Sequence, residues 1–444
     1  MQKNRLKILF VSLGCDKNLV DTEFMLGLVE KAGYEFTDDE YDADIIVVNT
    51  CAFINDAKEE SINTLIELGA LKETGKLKAL IAAGCLAQRY EREIRIELPE
   101  VDAVLGTNSW DHIVNAIEET LINGGYTRLD EIKEFDYSVG RLPTKGTHFS
   151  YLKIAEGCDK RCTYCIIPSL RGRYRSVPRE ELVRQARELA AMGIVELILV
   201  AQETTLYGVD LYGKKSLHLL LRDLSEIDGI EWIRLMYCYP EEIYPELVDE
   251  MACNEHVLHY IDMPIQHVND DILRAMGRKT TKEKLGDTLK MLKKAMPDIA
   301  VRTSLICGFP GETNEQHEEL MSFLKYHKLD RVGAFTYSEE EGTKAALLPG
   351  QIDESVKETR RDEVMELVSE IIFDKNRTLI GRELDVIVDG YETNENVYVC
   401  RTYMDAPEVD GYLFLETDRT FNTGDFLRVR VTDAYEYDLI GEPL

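Results

Sequence analysis

The chain reads as an α/β protein in three parts. These are an N-terminal doubly wound parallel-sheet domain (residues 1–130), a central partial (β/α)6 TIM-like barrel (149–374) and a small antiparallel β-barrel (375–444), with a linker over 131–148. Three observations predict this. Short apolar, β-rich runs alternate with helical stretches from Lys7 onward, the pattern of a parallel sheet covered on both faces. The alternation restarts at Tyr151 for six further strand–helix units. From about Asp374 it gives way to short strands separated by turn residues. A chain of 444 residues is also too long for one core.

In the first domain, strands are expected over Lys7–Ser12, Asp44–Asn49, Lys78–Ala83 and Val101–Leu105. Helices are expected over Leu19–Ala32, Asn55–Leu68, after Leu86, and from about Asp111 to Leu121. Glu131–His148 mixes charges with Gly140, Pro143 and Gly146, hence the linker. The barrel strands are Tyr151–Glu156, Glu196–Ala201, Trp232–Met236, Tyr260–Met263, Ala300–Ile306 and Arg331–Thr336, with helices such as Arg179–Ala191 and Lys282–Lys294 between them. A helix over Glu354–Asn376 leads to strands Glu383–Val388, Val397–Cys400, Tyr412–Leu415 and Phe426–Val431. Tyr435 and Tyr437 are expected to pack within the terminal barrel.

Composition narrows the class of function. The chain is 44% hydrophobic and 30% charged, ordinary for a soluble protein. No apolar run reaches the roughly 20 residues of a membrane span, and Met1–Val11 has no signal-peptide core of normal length. A cytoplasmic monomer without membrane attachment is expected. The net charge of −30 disfavours nucleic-acid binding, which depends on Lys and Arg neutralising phosphates. The terminal barrel, Lys375–Leu444, repeats the bias with seven Lys/Arg against 15 Asp/Glu. A basic protein partner suits that field better.

The ten cysteines carry the chemistry. Cys238, Cys253, Cys307 and Cys400 are scattered and read as small buried residues. Gly157–Cys165 places Cys158, Cys162 and Cys165 in the order C-x3-C-x2-C after a strand. Three thiolates on one loop can hold three corners of a 4Fe–4S cluster and leave one iron open. A disulfide is disfavoured inside a cell, and structural zinc closes its shell with a fourth Cys or His. Cys15, Cys51 and Cys85 each follow one of the first three strands. Ligands bind at the carboxyl edge of open α/β sheets, so these three converge and form a second cluster site. The alternative is three small residues buried in tight βα turns.

C-x3-C-x2-C with the aromatic Tyr164 before the third Cys resembles the radical SAM superfamily, in which S-adenosylmethionine (SAM) chelates the open iron. Together with Cys15, Cys51, Cys85 and the terminal barrel, it resembles the radical SAM methylthiotransferases over nearly the whole chain. Those proteins join an N-terminal cluster domain, a radical SAM barrel and a TRAM domain in this order. Ser12-Leu-Gly-Cys-Asp-Lys-Asn-Leu-Val-Asp-Thr-Glu23 and Pro264-Ile-Gln-His267 are similar to the RimO branch, which modifies an aspartate of ribosomal protein S-twelve. That branch usually has Pro where Asp16 stands and Ser where Thr22 stands. The competing MiaB-like branch modifies adenosine in tRNA. An electron carrier without catalysis and a zinc scaffold are rivals of other classes.

The resemblance implies two 4Fe–4S clusters and SAM as both radical source and methyl donor. One cluster, on Cys158, Cys162 and Cys165, yields a 5′-deoxyadenosyl radical that takes hydrogen from the aspartate β-carbon. The other, on Cys15, Cys51 and Cys85, carries the sulfur. It also implies a sulfur source and a ferredoxin- or flavodoxin-like electron donor as partners, with ribosomal protein S-twelve or the small ribosomal subunit as substrate and tRNA unlikely. Tyr164, Gln202, Glu203, Gln266 and Arg302 are candidates for SAM contact; each has a structural reading as well. The loop Gly308-Phe-Pro-Gly-Glu312 serves either a turn or adenine binding. In the basic run Arg171, Arg173, Arg175 and Arg179, the first two are candidates for a carboxylate of substrate or SAM. The alternative is a solvated loop with ion pairs.

Overall fold

The computed structural model describes residues 6–131, 139–144 and 148–444. They form two compact units. One comprises Met1–Thr144 with Glu156–Asp159 and Cys165–Arg175; the other comprises Lys145–Ala155, Lys160–Tyr164 and Ser176–Leu444.

The first unit runs β1 (Lys7–Ser12), α1 (Asp16–Lys31), β2 (Glu35–Phe36), β3 (Ile45–Thr50), α2 (Asn55–Gly69), β4 (Ala79–Ala83), α3 (Gly84–Arg89), β5 (Ala103–Leu105), α4 (Ile113–Asn123) and β6 (Tyr126–Arg128). The strands pair in parallel in the order β2-β1-β3-β4-β5-β6. Every residue of β3 and β4 is buried, as their Ile, Val, Ala and Leu runs require in a sheet covered on both faces; β3 ends on the buried polar pair Asn49 and Thr50. The four expected strands are present. The two additional ones, β2 and β6, have two and three residues, too few to show a period. α1 begins at Asp16, earlier than the expected Leu19, because Cys15 is still extended and Asp16 supplies the acidic first turn. A short helix, α5 (Ile167–Arg171), also belongs to this unit.

Of the stretch read as a linker, residues 132–138 and 145–147 lie outside the described residues. Residues 139–144 run along α1. Arg141 pairs with Glu23 at 2.7 Å, with both side chains buried. The Thr144 and Leu142 amides donate to the Glu23 carboxylate and carbonyl. A Cβ at Gly27 would fall 1.9 Å from the Gly140 carbonyl, so this approach needs glycine.

The second unit contains β7 (Phe149–Lys153), β8 (Glu196–Val200), β9 (Trp232–Leu235), β10 (Val257–Asp262), β11 (Ala300–Cys307) and β12 (Arg331–Thr336). They pair in that order, each parallel to the next, as an open six-stranded sheet. α6 (Glu354–Arg377) leads to a closed five-stranded barrel of β13 (Glu383–Glu392), β14 (Val397–Thr402), β15 (Leu413–Leu415), β16 (Phe426–Ala434) and β17 (Leu439–Pro443). Four of its pairings are antiparallel; β15 and β17 pair in parallel. The unexpected fifth strand carries Gly441 and Pro443, which mask its pattern. Tyr435 and Tyr437, expected to pack, are exposed because they stand in the turn between β16 and β17. Cys253 is likewise exposed at a helix end, while Cys238, Cys307 and Cys400 are buried as expected.

Buried charges fasten the terminal barrel to the amino ends of the sheet strands. Glu196, the first residue of β8, pairs at 2.8 Å with both Arg234 and Arg401, and all three side chains are fully buried. Arg401 continues to Asp389 at 2.6 Å, which also meets His148 at 2.7 Å. Arg331 pairs with Asp405, and Arg302 pairs with Asp262 at 2.7 Å and Asp410 at 3.3 Å. Removing one partner of such a group strands a buried charge. Arg401→Met is therefore expected to lower stability by about 3–5 kcal/mol. Asp385→Ala, which breaks the exposed pair with Arg428, should change it by about 1 kcal/mol or less. Denaturant midpoints of the two variants check the contrast.

Candidate metal and cofactor sites

β1, β3 and β4 are neighbours, and their register aligns Ser12 with Asn49 and Asn49 with Ala83. Cys15, Cys51 and Cys85 follow the strand ends Ser12, Thr50 and Ala83 by three, one and two residues, so all three sit along one edge of the sheet. The turns are tight. Gly14 has φ +89°, and a Cβ there would lie 2.7 Å from Cys51 Cβ and 2.9 Å from its sulfur. Gly84 has φ +90°, and a Cβ would meet Asn49 Oδ1 at 2.2 Å. Only glycine fits either position.

Asn18 ties the turns together, its amide donating to the Leu13 carbonyl at 3.2 Å and the Thr50 carbonyl at 3.1 Å. Asn49 Nδ2 in turn donates to the Asn18 carbonyl at 2.8 Å and to Thr22 Oγ1 at 2.9 Å. Ser61 holds Cys51 by accepting from its amide and donating to its carbonyl. The Cys85 sulfur lies 3.8 Å from Asn18 Oδ1 and 3.6 Å from Arg171 Nη2.

All three thiols are free. Burial pushes Cys51 up to about 12, and the neighbouring Cys85 and Cys15 add to it. Cys85 is also raised by burial, while Arg171 opposes the rise. Such thiols become thiolates when a metal takes the proton's place. Sulfurs around one zinc ion at 2.3 Å would lie about 3.8 Å apart. Among the described residues, three ligand atoms come within 4.8 Å of one another only at Asp111, His112 and Asp130. The sulfurs of Cys15, Cys51 and Cys85 do not all lie within that distance of one another.

In the C-x3-C-x2-C loop, Cys158 and Cys162 are buried and Cys165 is partly so. Gly157 (φ +80°) has no room for a Cβ, which would fall 2.2 Å from the Arg173 carbonyl. The Cys158 amide donates to the Gly172 carbonyl at 3.1 Å. In the second unit, the Thr163 amide and hydroxyl donate to the carbonyls of Met276 and Ala275. Cys162 Sγ lies 3.8 Å from the Tyr239 hydroxyl. Tyr164 sets its ring edge-on to Phe309 at 6.5 Å, within a cluster of Ile272, Met276, Tyr337 and Ala345.

Three non-glycine residues here adopt positive φ: Arg161 at 54°, Tyr237 at 60° and Gln266 at 68°. Such strain persists where the surroundings enforce it and is common at functional sites. Gln266 is held through its backbone, its amide donating to Ser304 O and its carbonyl accepting from Ile306. Gln202 and Glu203 follow β8. Glu203 is fully buried; its Oε1 accepts from the Thr205 amide at 2.9 Å, and Lys160 Nζ lies 3.6 Å from Oε2. Burial pushes its carboxyl up to about 7, against the pull of Lys160. In the Gly308–Glu312 loop, Glu312 accepts from the Gly308 and Phe309 amides at 2.6 and 3.1 Å. The turn is thus closed by its own carboxylate.

The basic run separates. Arg171 is buried and engaged by Asp21 at 2.7 Å, Glu156 at 3.0 Å and Asn18. Arg175 donates to the carbonyls of Arg171 and Arg173, and Arg179 pairs with Asp223. Arg173 is exposed and its guanidinium makes no ion pair among the described residues. Arg302 is likewise committed, to Asp262 and Asp410 near the amino end of β11. Asn18, Asp21 and Glu156 received no role from the sequence. The signal lay in the polar Asn18, Asp21 and Thr22 recurring on one helical face directly after Cys15.

Residues 152–324 match the radical SAM superfamily profile, 7–106 the uncharacterized protein family UPF0004, and 380–444 the TRAM domain. Curated proteins named ribosomal protein uS12 methylthiotransferase RimO are similar along the whole chain. That of Lachnoclostridium phytofermentans is 54% identical over 98% of this chain and 99% of its own length. Those of Thermoanaerobacter sp. and Clostridium perfringens are 46% and 48% identical, covering 97% and 98% of this chain and 98% and 97% of theirs. Among solved structures, the radical SAM methyltransferase TsrM of Kitasatospora setae aligns at TM-score 0.52 and 14% identity, over 74% of this chain and 72% of TsrM. The cobalamin-dependent radical enzyme OxsB aligns at 0.51 and 14%, over 82% and 56%. These two carry the fold alone.

Glu203 gives a pH signature. Its folded value lies above the ordinary carboxyl value of 4.5, so the folded state binds the extra proton between 4.5 and about 7. Stability of the metal-free wild type is expected to fall as pH rises through that window, and Glu203→Gln should flatten the fall. Denaturant midpoints of both proteins across pH 4.5–8 read it. Gly14→Ala is expected to push Cys51 out of place, read as less iron bound per chain after anaerobic reconstitution.

Proposed function

As a member of the RimO family of ribosomal protein uS12 methylthiotransferases, the chain is a radical SAM enzyme that transfers a sulfur-containing group to uS12, and we propose how its residues divide that work. Cys158, Cys162 and Cys165 hold one 4Fe–4S cluster and leave an iron for SAM. Cys15, Cys51 and Cys85 hold a second that carries the sulfur. When bound, these groups supply a SAM-derived carbon radical, the sulfur and, from a second SAM, its methyl; the product is an aspartate methylthiolated at its β-carbon. The observation that carries this division is the convergence of three free cysteines at the carboxyl edge of β1, β3 and β4, separate in sequence from the C-x3-C-x2-C loop.

Around the first site, the chain binds and orients. The buried Glu203 carboxylate receives the SAM ammonium, whose charge stabilises the ionised form that burial disfavours. Gln202, after β8, and Gln266, after β10, add polar contacts to SAM, and Tyr164, backed by Phe309, shields it from water. Arg173 keeps an exposed guanidinium for the substrate carboxylate. Arg302 and Arg171 are committed to buried carboxylates and serve the frame. The acidic chain, net −30, favours a basic protein substrate over tRNA. A ferredoxin- or flavodoxin-like donor supplies electrons, a separate source supplies sulfur, and the enzyme works as a cytoplasmic monomer. No helix among the described residues is long and apolar enough to cross a membrane.

Anaerobically reconstituted enzyme, given SAM, sulfide and dithionite, is expected to add one methylthio group to uS12 and none to tRNA, read by mass spectrometry. Methylthiolated adenosine with unchanged uS12 would overturn the substrate. Replacing Cys15, Cys51 and Cys85 together with Ala should leave 5′-deoxyadenosine formation intact and abolish methylthio transfer. Loss of both activities in a folded protein would show that the sites are not separable.

A further inference from the structure

Arg171 stands where a surface arginine is not expected. It ends α5, six residues past Cys165, yet its side chain is 2% exposed. Burying a guanidinium costs several kcal/mol unless its donors are met. Here Nη1 meets Asp21 and Glu156, carboxylates that are themselves buried. Nη2 meets the Asn18 side chain and faces Cys85 Sγ at 3.6 Å. All five residues belong to the first unit. Two buried carboxylates thus meet one guanidinium beside a thiol that loses its proton when it ligates metal. Nη2 of the same cation still directs a donor at that sulfur.

Asn18 makes the arrangement specific. Its amide holds the peptides just before Cys15 and Cys51, and its oxygen holds Arg171 against Cys85. One asparagine thus relates all three cysteines to one cation. Glu156 and Arg171 also flank the Cys158–Cys165 loop in sequence, so their ion pair closes the base of that loop.

We propose that Arg171 is a positioning residue that donates to the Cys85 sulfur and, balanced by Asp21 and Glu156, sets the reduction potential and metal retention of the Cys15/Cys51/Cys85 site. The inference rests on the reading that those cysteines hold an iron–sulfur cluster. Hydrogen bonds to ligand sulfur and local charge are the levers by which a protein moves such a potential. A cationic donor stabilises the more negative, reduced state. Asp21 and Glu156 act against it, so neighbouring charge changes should move the potential in opposite directions.

The test is potentiometric EPR on the full-length reconstituted protein. The two signals are assigned beforehand from variants lacking one cysteine triad or the other. Arg171→Gln is expected to shift the Cys15/Cys51/Cys85 signal to lower potential and to weaken iron retention there about 10- to 100-fold against a chelator. Asp21→Asn should shift the same signal upward. Arg171→Lys keeps charge without the fork, so an intermediate shift is expected; it also serves if the glutamine variant does not fold. A cluster that binds normally with an unmoved potential in Arg171→Lys and Asp21→Asn would overturn the inference and leave the cluster reading intact. Wild-type protein without iron at that triad would overturn both.

Discussion

The parallel register that levels Ser12, Asn49 and Ala83 is the constraint on which the first site depends. A strand shifted by one residue turns every side chain to the opposite face. Here it would also withdraw one cysteine from the edge that the other two share. The burial of β3 and β4 on both faces holds the register firmly. Asn18, Asn49 and Thr50 then link the strand ends by side-chain hydrogen bonds across the turns. Glycines at 14 and 84 supply the left-handed conformations that let the cysteine-bearing turns approach. Placement of the thiols therefore follows from the sheet before any metal is present.

Buried charge recurs in both units with different consequences. In the second, Glu196, Arg234, Arg401 and Asp389 fasten the terminal barrel to the sheet, and every member finds a partner of opposite sign. Such a network gains little over apolar packing but penalises any other docking, because separation leaves charges buried and alone. In the first, Arg171 joins Asp21 and Glu156 in a buried group placed against a cysteine. The fastening network is closed on itself. The other leaves a donor pointing at the Cys85 sulfur.

The three-part architecture was legible because each part has its own period. Arg331–Thr336 and Lys7–Ser12 begin and end where the pattern does. The errors fell where pattern is shortest or broken, in β2, β6 and the Gly- and Pro-bearing β17. The placement of Cys15, Cys51 and Cys85 on one sheet edge was legible for a different reason: strand ends in a doubly wound sheet are equivalent positions, so a residue repeated there converges. The ion pairs of Arg171 and Arg302 were not legible. Arg171 pairs with Asp21, 150 residues away, as well as Glu156, 15 away; Arg302 pairs with Asp262, 40 residues away, and with the still more distant Asp410. No local pattern connects them. Glu203 was nameable from its position after a strand, but its raised carboxyl comes from complete burial, a tertiary fact.

Two cysteine triads with separate metals are the centre of this account. Mössbauer spectroscopy on full-length protein reconstituted with iron-57 tests that most directly. Two 4Fe–4S clusters, about eight irons per chain, are expected in the wild type, falling to about four when either triad is replaced by alanine. An unchanged iron content after replacing Cys15, Cys51 and Cys85 would contradict it.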